Sequence, residues 1–453
     1  MKYDFISPSK RRFGNDVVDI VPIRGLLSGG PYHIPDNINE DKIYLVPIII
    51  RTPDFDINSE RAMEVTRRIS TTLEKYFRIK SKIIRLDGIP LIDIIDYSID
   101  SARKLYHKLE EIKRKLLVLG YRDKLRNIAV IVFTRSTARP LKVTPYYITK
   151  LIFDFEPVSQ VITERALFNP EMSFTNIALG IFTKLGGIPW RLNELMPSTD
   201  LIIGVGRTIL KHYEETNQKE VVESWMGSVA IIRSDGVFRE ARATIVREKE
   251  ELINWIAENI NRIINIFISK HLSTELNVSI HYSGKKVSRE EIDRIEKVIA
   301  NIKERQNVDV SVKIIHITDD IPHKFLCKDY NMYPLSGFYW ISSNREAYIT
   351  PMGAALVGSK VYYSFTGIPR TLKITVVKTI GSITLKEALM DSLYEIHSLT
   401  FMHLAGLNIN INEPISTKYS RELAYLVKSL EITSKSIGAS LNATMTYDRL
   451  WFL

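Results

Sequence analysis

Between Asp41 and Arg191, apolar runs of strand length alternate with segments of helical period. This constrains the fold more than any other feature of the chain. IYLVPIII (Ile43 to Ile50) reads as a buried strand, and SKIIRL (Ser81 to Leu86), NIAVIVF (Asn127 to Phe133) and a β-branched stretch from Val158 to Ile162 read as further strands. Helices are expected over Ser59 to Tyr76, Asp93 to Leu119, onward from Tyr146, and over Phe174 to Leu185. Such alternation predicts a parallel, Rossmann-like sheet, whose ligands sit where strands end and the next helices begin. No Gly-rich dinucleotide fingerprint follows any strand, which argues against a nicotinamide or flavin enzyme.

The helix after the third long strand carries the chemistry. Thr144 suits an N-cap and Pro145 the first helical position. Tyr146 and Lys150 then share one face, four residues apart. Gln160 lies in the next strand, and Lys184 closes the following helix just before Gly186 and Gly187. Taken singly, each fits an ordinary amphipathic pair or a helix-terminal cation. Together, two ammonium groups, a phenol and an amide near a helix N-terminus suit a terminal phosphate.

Charge points the same way. The 453-residue chain has a net charge of +10, and residues 41–191 hold +9 of it. This asymmetry indicates a polyanionic partner for that segment. A solvated face at Lys108 to Lys115 explains part of the excess. Arg122, Lys124, Arg126, Arg135, Arg139 and Lys142 continue it. Cys327 is the only cysteine, so no intrachain disulfide can form, and a reducing, cytoplasmic setting is expected. No apolar run is long enough to span a membrane, so no membrane insertion is expected.

Residues 1–40 read as an arm with little periodicity, extended or turning through Ser28 to Pro35. Residues 192–453 form a second unit. It opens with the strand LIIGVGR (Leu201 to Arg207) and a hairpin, Ser228 to Thr244, turning at Asp235 and Gly236. A helix over Lys249 to Ser269, a strand over Leu276 to Gly284, a helix from Ser288 and a strand over Asp309 to Ile317 follow. Ser288 and Glu291 form a capping box. Helices are expected near Leu385 to Phe401 and Tyr419 to Ser434. This order suits a mixed, RNase H-like sheet.

The Tyr146, Lys150, Gln160, Lys184 series, with TKLGGIPW around its last member, resembles the guide 5′-phosphate pocket of the Mid domain in Argonaute and Piwi proteins. GGIPWRL ahead of GVG, the SDG hairpin, HYSGKKVSREE, ISSNREAYITPMGA and GIPRTLKITVV resemble segments of a Piwi domain. The chain is similar to short, archaeal Piwi-like prokaryotic Argonautes. That implies an N-terminal arm (1–40), a Rossmann-like Mid domain (41–191) and an RNase H-like Piwi domain (192–453). It further implies a short guide strand, RNA in expectation, a complementary DNA target, a separate effector protein and a role in defence. In relatives the terminal carboxylate and the matching Gln hold a divalent cation on the guide's first phosphates. Here those residues are Leu453 and Gln160, with Mg²⁺ as the expected ion.

A nuclease of this fold holds two Mg²⁺ between carboxylates. In the family the first Asp stands in a G-x-D context, where this chain has Gly206, and another precedes the Gly matching Gly284, where this chain has Ser283. Neither residue neutralises a metal pair, so the expectation is a domain that binds without cleaving. Glu223, Glu240, Glu248 and Asp319 are the carboxylates that could rebuild a site. The alternatives are an active guide-directed, metal-dependent nuclease of the same fold, and an unrelated α/β enzyme with a basic phosphate pocket. His281, His316 and His403 lie in apolar surroundings and read as core or edge residues, not ligands.

Overall fold

The computed structural model describes residues 2–39, 42–53, 55–94, 96, 98–135, 144–153, 156–168, 170–196, 198–214, 219–271, 274–319, 321, 324–328, 333–357, 360–363, 369–404 and 406–452. Arg139, Lys142 and Leu453 lie outside them.

The first sheet is parallel throughout. Ile43–Arg51 is flanked by Ile128–Phe133 on one side and by Ser81–Ile83 and Leu91–Asp93 on the other, and Val158–Ile162 pairs with Ile128–Phe133. Every residue of Ile128–Phe133 is buried, because helices cover both faces. Ser59–Phe77 starts at an Asn58 cap that accepts the Arg61 N–H. The helix expected from Asp93 starts instead at Ile99: Leu91–Asp93 pairs as a strand, and the Ser98 side chain caps the helix by accepting the Ser101 N–H. That cap, not the apolar periodicity, sets the boundary.

The second sheet has ten strands. Leu201–Glu214, Glu275–Ser283 and Asp309–Thr318 lie side by side and parallel; the other pairings are antiparallel. The hairpin Lys219–Arg233 with Phe238–Val246 is longer than its sequence suggested, because Leu201–Glu214 pairs with the first arm as far as Glu214. Two helices, Leu385–Thr400 and Ile415–Ile437, cover one face, while Lys249–His271 and Arg289–Gln306 pack together on the apolar cluster around Ile203, Ile260 and Ile280. The capping box of Ser288 and Glu291 is formed.

The arm is built into the body. Lys2–Phe5 adds an edge strand beside Phe338–Ile341, and Pro22–Gly29 is a helix in an arm expected to have little periodicity, with Pro22 in its first turn. Arg11 is fully buried. Its Nε donates to the Phe401 carbonyl at 2.6 Å, its other nitrogens donate to the carbonyls of Ile20 and Ile409, and its guanidinium lies 5.4 Å from the Trp190 ring centre. One large apolar cluster joins the units: Phe77 and Phe182 stack at 4.8 Å, and the same cluster continues to Trp190, Tyr419 and Phe452.

Candidate functional site

Thr144 caps the helix Pro145–Ile152, its side chain accepting the Tyr147 N–H at 3.3 Å. This fixes the helix over the carboxyl end of Ile128–Phe133. Lys150 projects from its last turn into the protein and is 1% exposed. Its Nζ donates to the Trp451 carbonyl at 2.5 Å and lies 5.8 Å from the Tyr146 ring centre. Lys184, the last residue of Pro170–Lys184, is 2% exposed. Its Nζ donates to the Gln160 Oε1 at 2.8 Å and to the Ser159 carbonyl at 3.1 Å. The structure therefore gathers Tyr146, Lys150, Gln160 and Lys184 from a helix, a strand and a second helix. Leu453, the fifth expected member, is outside the described residues.

The electrostatics are unusual. Among the described residues, no side-chain carboxylate forms an ion pair with either lysine. Burial, and then the charge of Lys184, holds the Lys150 ammonium well below the ordinary lysine range. Burial brings Lys184 down to about 7, against a smaller raising effect of its contact with Lys150. Burial pushes the Tyr146 phenol up, so it stays a neutral hydroxyl at any ordinary pH. Two amines desolvated side by side are poised for an anion, which would supply the counter-charge the protein withholds. Beside Lys150 a cavity of about 320 Å³ opens between Leu151, Leu430, Asn442, Thr446 and Trp451. Gln160 Oε1 already faces an ammonium, so the described residues alone do not form a divalent-cation site; oxygens from a ligand would have to complete one.

The second region lies on the large sheet. The parallel pairing of its three central strands runs out at one end, where Gly204 stands beside His281, Val205 beside Tyr282, and Ser283 beside Ile317, while Leu201–Glu214 continues beyond it. Gly206 follows directly. A Cβ on Gly206 would stand 2.7 Å from Ser228 Oγ and inside the van der Waals envelope of the Ser420 carbonyl; one on Gly204 would strike the Ser416 carbonyl. The helix Ile415–Ile437 thus lies with its backbone directly on the strand, and Ser228 Oγ donates to the Ser420 carbonyl to hold it there. Past the strand ends a cleft of about 900 Å³ is lined by Ser283, Lys285, Asp319, Arg370, Glu413 and Arg421.

The four carboxylates that could have rebuilt a metal site are scattered. Glu223 pairs with Lys435, Glu240 with Arg242 and Asp319 with Arg370, while Glu248 lies at the start of another helix. Among the described residues, no three His, Cys, Asp or Glu side chains stand close enough to share a metal ion.

Sequence reasoning missed a buried network beneath the cleft. Lys313 Nζ lies 2.5 Å from Glu395 Oε1, and Glu395 also accepts from Thr199 Oγ1. His281, fully buried, contacts Ser416 Oγ through Nδ1 at 2.8 Å and Ser279 Oγ through Nε2 at 2.9 Å, with Glu395 Oε2 at 3.3 Å. Burial pushes the Glu395 carboxyl up, but Lys313 and His281 outweigh it and hold the pKa at about 2. The network joins both covering helices to the central strands. It also missed the Trp451 carbonyl, Arg370 and Arg421.

A sheet of this topology, with a parallel α/β unit ahead of it, is the arrangement of Piwi proteins. The family model for the Piwi domain matches residues 137–430, well over half of the chain, and the chain belongs to that family. Among solved structures its fold is that of Argonautes. It superposes on the Argonaute of Aquifex aeolicus with a TM-score of 0.64 at 17% identity, covering 99% of this chain and 55% of that one. The Clostridium butyricum Argonaute, described bound to a guide DNA and a 19-mer target DNA, gives a TM-score of 0.68 at 17% identity, covering 100% of this chain and 55% of that one. An A. aeolicus structure with externally bound siRNA matches similarly, with a TM-score of 0.64 at 17% identity, covering 100% of this chain and 56% of that one. The chain thus spans just over half the length of these Argonautes. No curated protein matches it by sequence. Among the described residues, no helix is long and apolar enough to cross a membrane.

Proposed function

We propose that this protein anchors the 5′-phosphate of a short guide strand at Tyr146, Lys150, Gln160 and Lys184 and recognises a complementary target without cutting it. The observation that carries this reading is the pair of buried lysines, Lys150 and Lys184, with hydrogen bonds to neutral oxygens and no side-chain carboxylate among their described partners. A phosphate entering there regains for both amines the charge stabilisation that burial removed, and the phenol of Tyr146 can donate to it. The basic residues of 41–191 attract the rest of the strand, while base pairing reads the target.

The lack of cleavage is supported by the packing at Gly206. An Asp there has no room for its side chain, because the backbone of the covering helix occupies that space. Asp319 and Glu413, the carboxylates that line the cleft, are each engaged by an arginine. The nucleic acids bound in the Argonaute structures above motivate the choice of ligand. An RNA guide, a DNA target, a cytoplasmic defence role and a separate effector protein that signals target capture complete the reading. Any Mg²⁺ at the pocket would take oxygens from the bound phosphate as well as from Gln160 and the carboxylate of Leu453.

The test is a titration of the protein with one guide sequence bearing either a 5′-phosphate or a 5′-hydroxyl. The phosphorylated strand should bind more tightly. Equal affinity for the two would remove the pocket from the mechanism.

A further inference from the structure

The cleft at the strand ends holds more positive than negative side chains. Arg421 places Nη1 2.8 Å from Glu413 Oε1 and Nη2 2.6 Å from Oε2, a two-pronged pairing. Arg370 Nη1 stands 2.5 Å from Asp319 Oδ2. Lys285 lines the same space without a carboxylate partner among the described residues. The two arginine side chains are 39% and 63% exposed, so each guanidinium is open to the cleft on the side away from its carboxylate. Tyr425, one turn beyond Arg421 on the same helix, is 53% exposed and also borders the cleft.

The Arg370–Asp319 pair is exposed on both sides and exchanges readily, whereas Glu413 is largely buried beside Arg421. Glu413 is the less secure anion of the two: burial raises its pKa, and Arg421 only partly offsets this. A phosphodiester matches a guanidinium fork as well as a carboxylate does, and it brings its charge without a desolvated side chain.

We propose that this cleft is a metal-independent phosphodiester site, in which Arg370 and Arg421 leave Asp319 and Glu413 to grip the backbone of the paired target strand. The proposal rests on the guide-binding reading above. Asp319 and Glu413 then act as internal competitors for the phosphate, which sets the affinity below what two free arginines would give.

This arrangement makes opposite predictions for the two sides of each ion pair, which a purely structural role does not. The probe is full-length protein loaded with a 5′-phosphorylated RNA guide and titrated with a complementary DNA strand, in EDTA, over a range of salt. Arg370→Ala with Arg421→Ala should weaken target binding by about tenfold or more and lower the salt slope by about 1 to 2. Glu413→Gln and Asp319→Asn, which keep the shape and remove the competitor, should strengthen target binding. Arg421→Gln provides the same readout if the double variant melts early. Target affinity unchanged in the arginine variants, or weakened equally by arginine and carboxylate variants, overturns the proposal while leaving guide anchoring intact. A parent protein that takes neither guide nor target overturns both.

Discussion

Lys184 and Gln160, 24 residues apart in sequence, meet end to end: the ammonium donates to the amide oxygen at 2.8 Å, beside the buried Lys150. The amide orients the lysine without neutralising it. Lys150→Ala and Lys184→Ala are each expected to weaken binding of a 5′-phosphorylated guide by roughly 1.5–3 kcal/mol, the range for hydrogen bonds to charged groups. Tyr146→Phe should cost less. Affinity for a 5′-hydroxyl strand should hardly move in any of them, and a loss of the same size for both strands would point to general damage.

The pH dependence of guide binding follows from the same pair. Lys184 loses its proton near pH 7 in the free protein, because burial disfavours the cation. A bound phosphate dianion raises that pKa, so binding above pH 7 must take up a proton and affinity falls as pH rises further. Below about pH 6 the phosphate itself loses its second charge, and affinity falls on that side too. Affinity measured by anisotropy from pH 5.5 to 9 should therefore peak between about 6 and 7. Lys184→Met should make the alkaline limb shallower, with Lys150, also depressed by burial, carrying the rest. An unchanged alkaline limb in that variant would assign the proton elsewhere.

Gly206→Asp should not restore cleavage. Its side chain would meet the Ser420 carbonyl and Ser228 Oγ, so the helix Ile415–Ile437 must move away from the sheet. A loss of about 3 kcal/mol in urea unfolding is expected, at the upper end for overpacking. The parent protein is expected to give no Mg²⁺- or Mn²⁺-dependent, guide-matched product. Products that vanish on substitution of a carboxylate of the large sheet would contradict this.

The buried pair of Lys313 and Glu395 should behave as a unit. Glu395→Gln leaves the buried ammonium with only the more distant Asp391, at 3.6 Å, and a loss of about 3 kcal/mol is expected. Lys313→Met with Glu395→Gln should recover part of it. The Glu395 pKa is depressed to about 2, below its unfolded value, so its contribution is present above about pH 4.5 and is lost as pH falls toward 2. Acid titrations of the parent and of the double variant, followed by circular dichroism, should differ over that interval.

Much of this fold was legible where one local rule acts alone. Thr144 with Pro145, and Ser288 with Glu291, mark helix starts that the structure reproduces. Four apolar runs of strand length separated by helices predicted a parallel sheet. The Asp93 boundary failed because a strand and a Ser98 cap competed with the same apolar period. At the pocket, the side chains of Tyr146, Lys150, Gln160 and Lys184 were readable, since each residue type announces its chemistry. The carbonyl partners of Ser159 and Trp451 were not, because a main-chain oxygen leaves no mark in a sequence. Gly206 stood out in the sequence where a carboxylate was expected, but nothing there marked it as a contact surface for a helix that begins more than two hundred residues later. Arg370 and Arg421 pair with residues that only folding brings to the cleft, and an arginine on a helix face usually signals nothing more than solvation.

The bond between Lys150 and the Trp451 carbonyl spans 301 residues of sequence. At about 5–20 residues per second, a ribosome needs roughly 15–60 s to travel from one to the other. During that interval the first unit can fold with its lysines in place, yet the wall that closes them in has not been made. Completion of the pocket is thus a late event in the life of the chain. On the guide-anchoring reading proposed above, a guide held there would report that synthesis has run through the large sheet and that both units have docked.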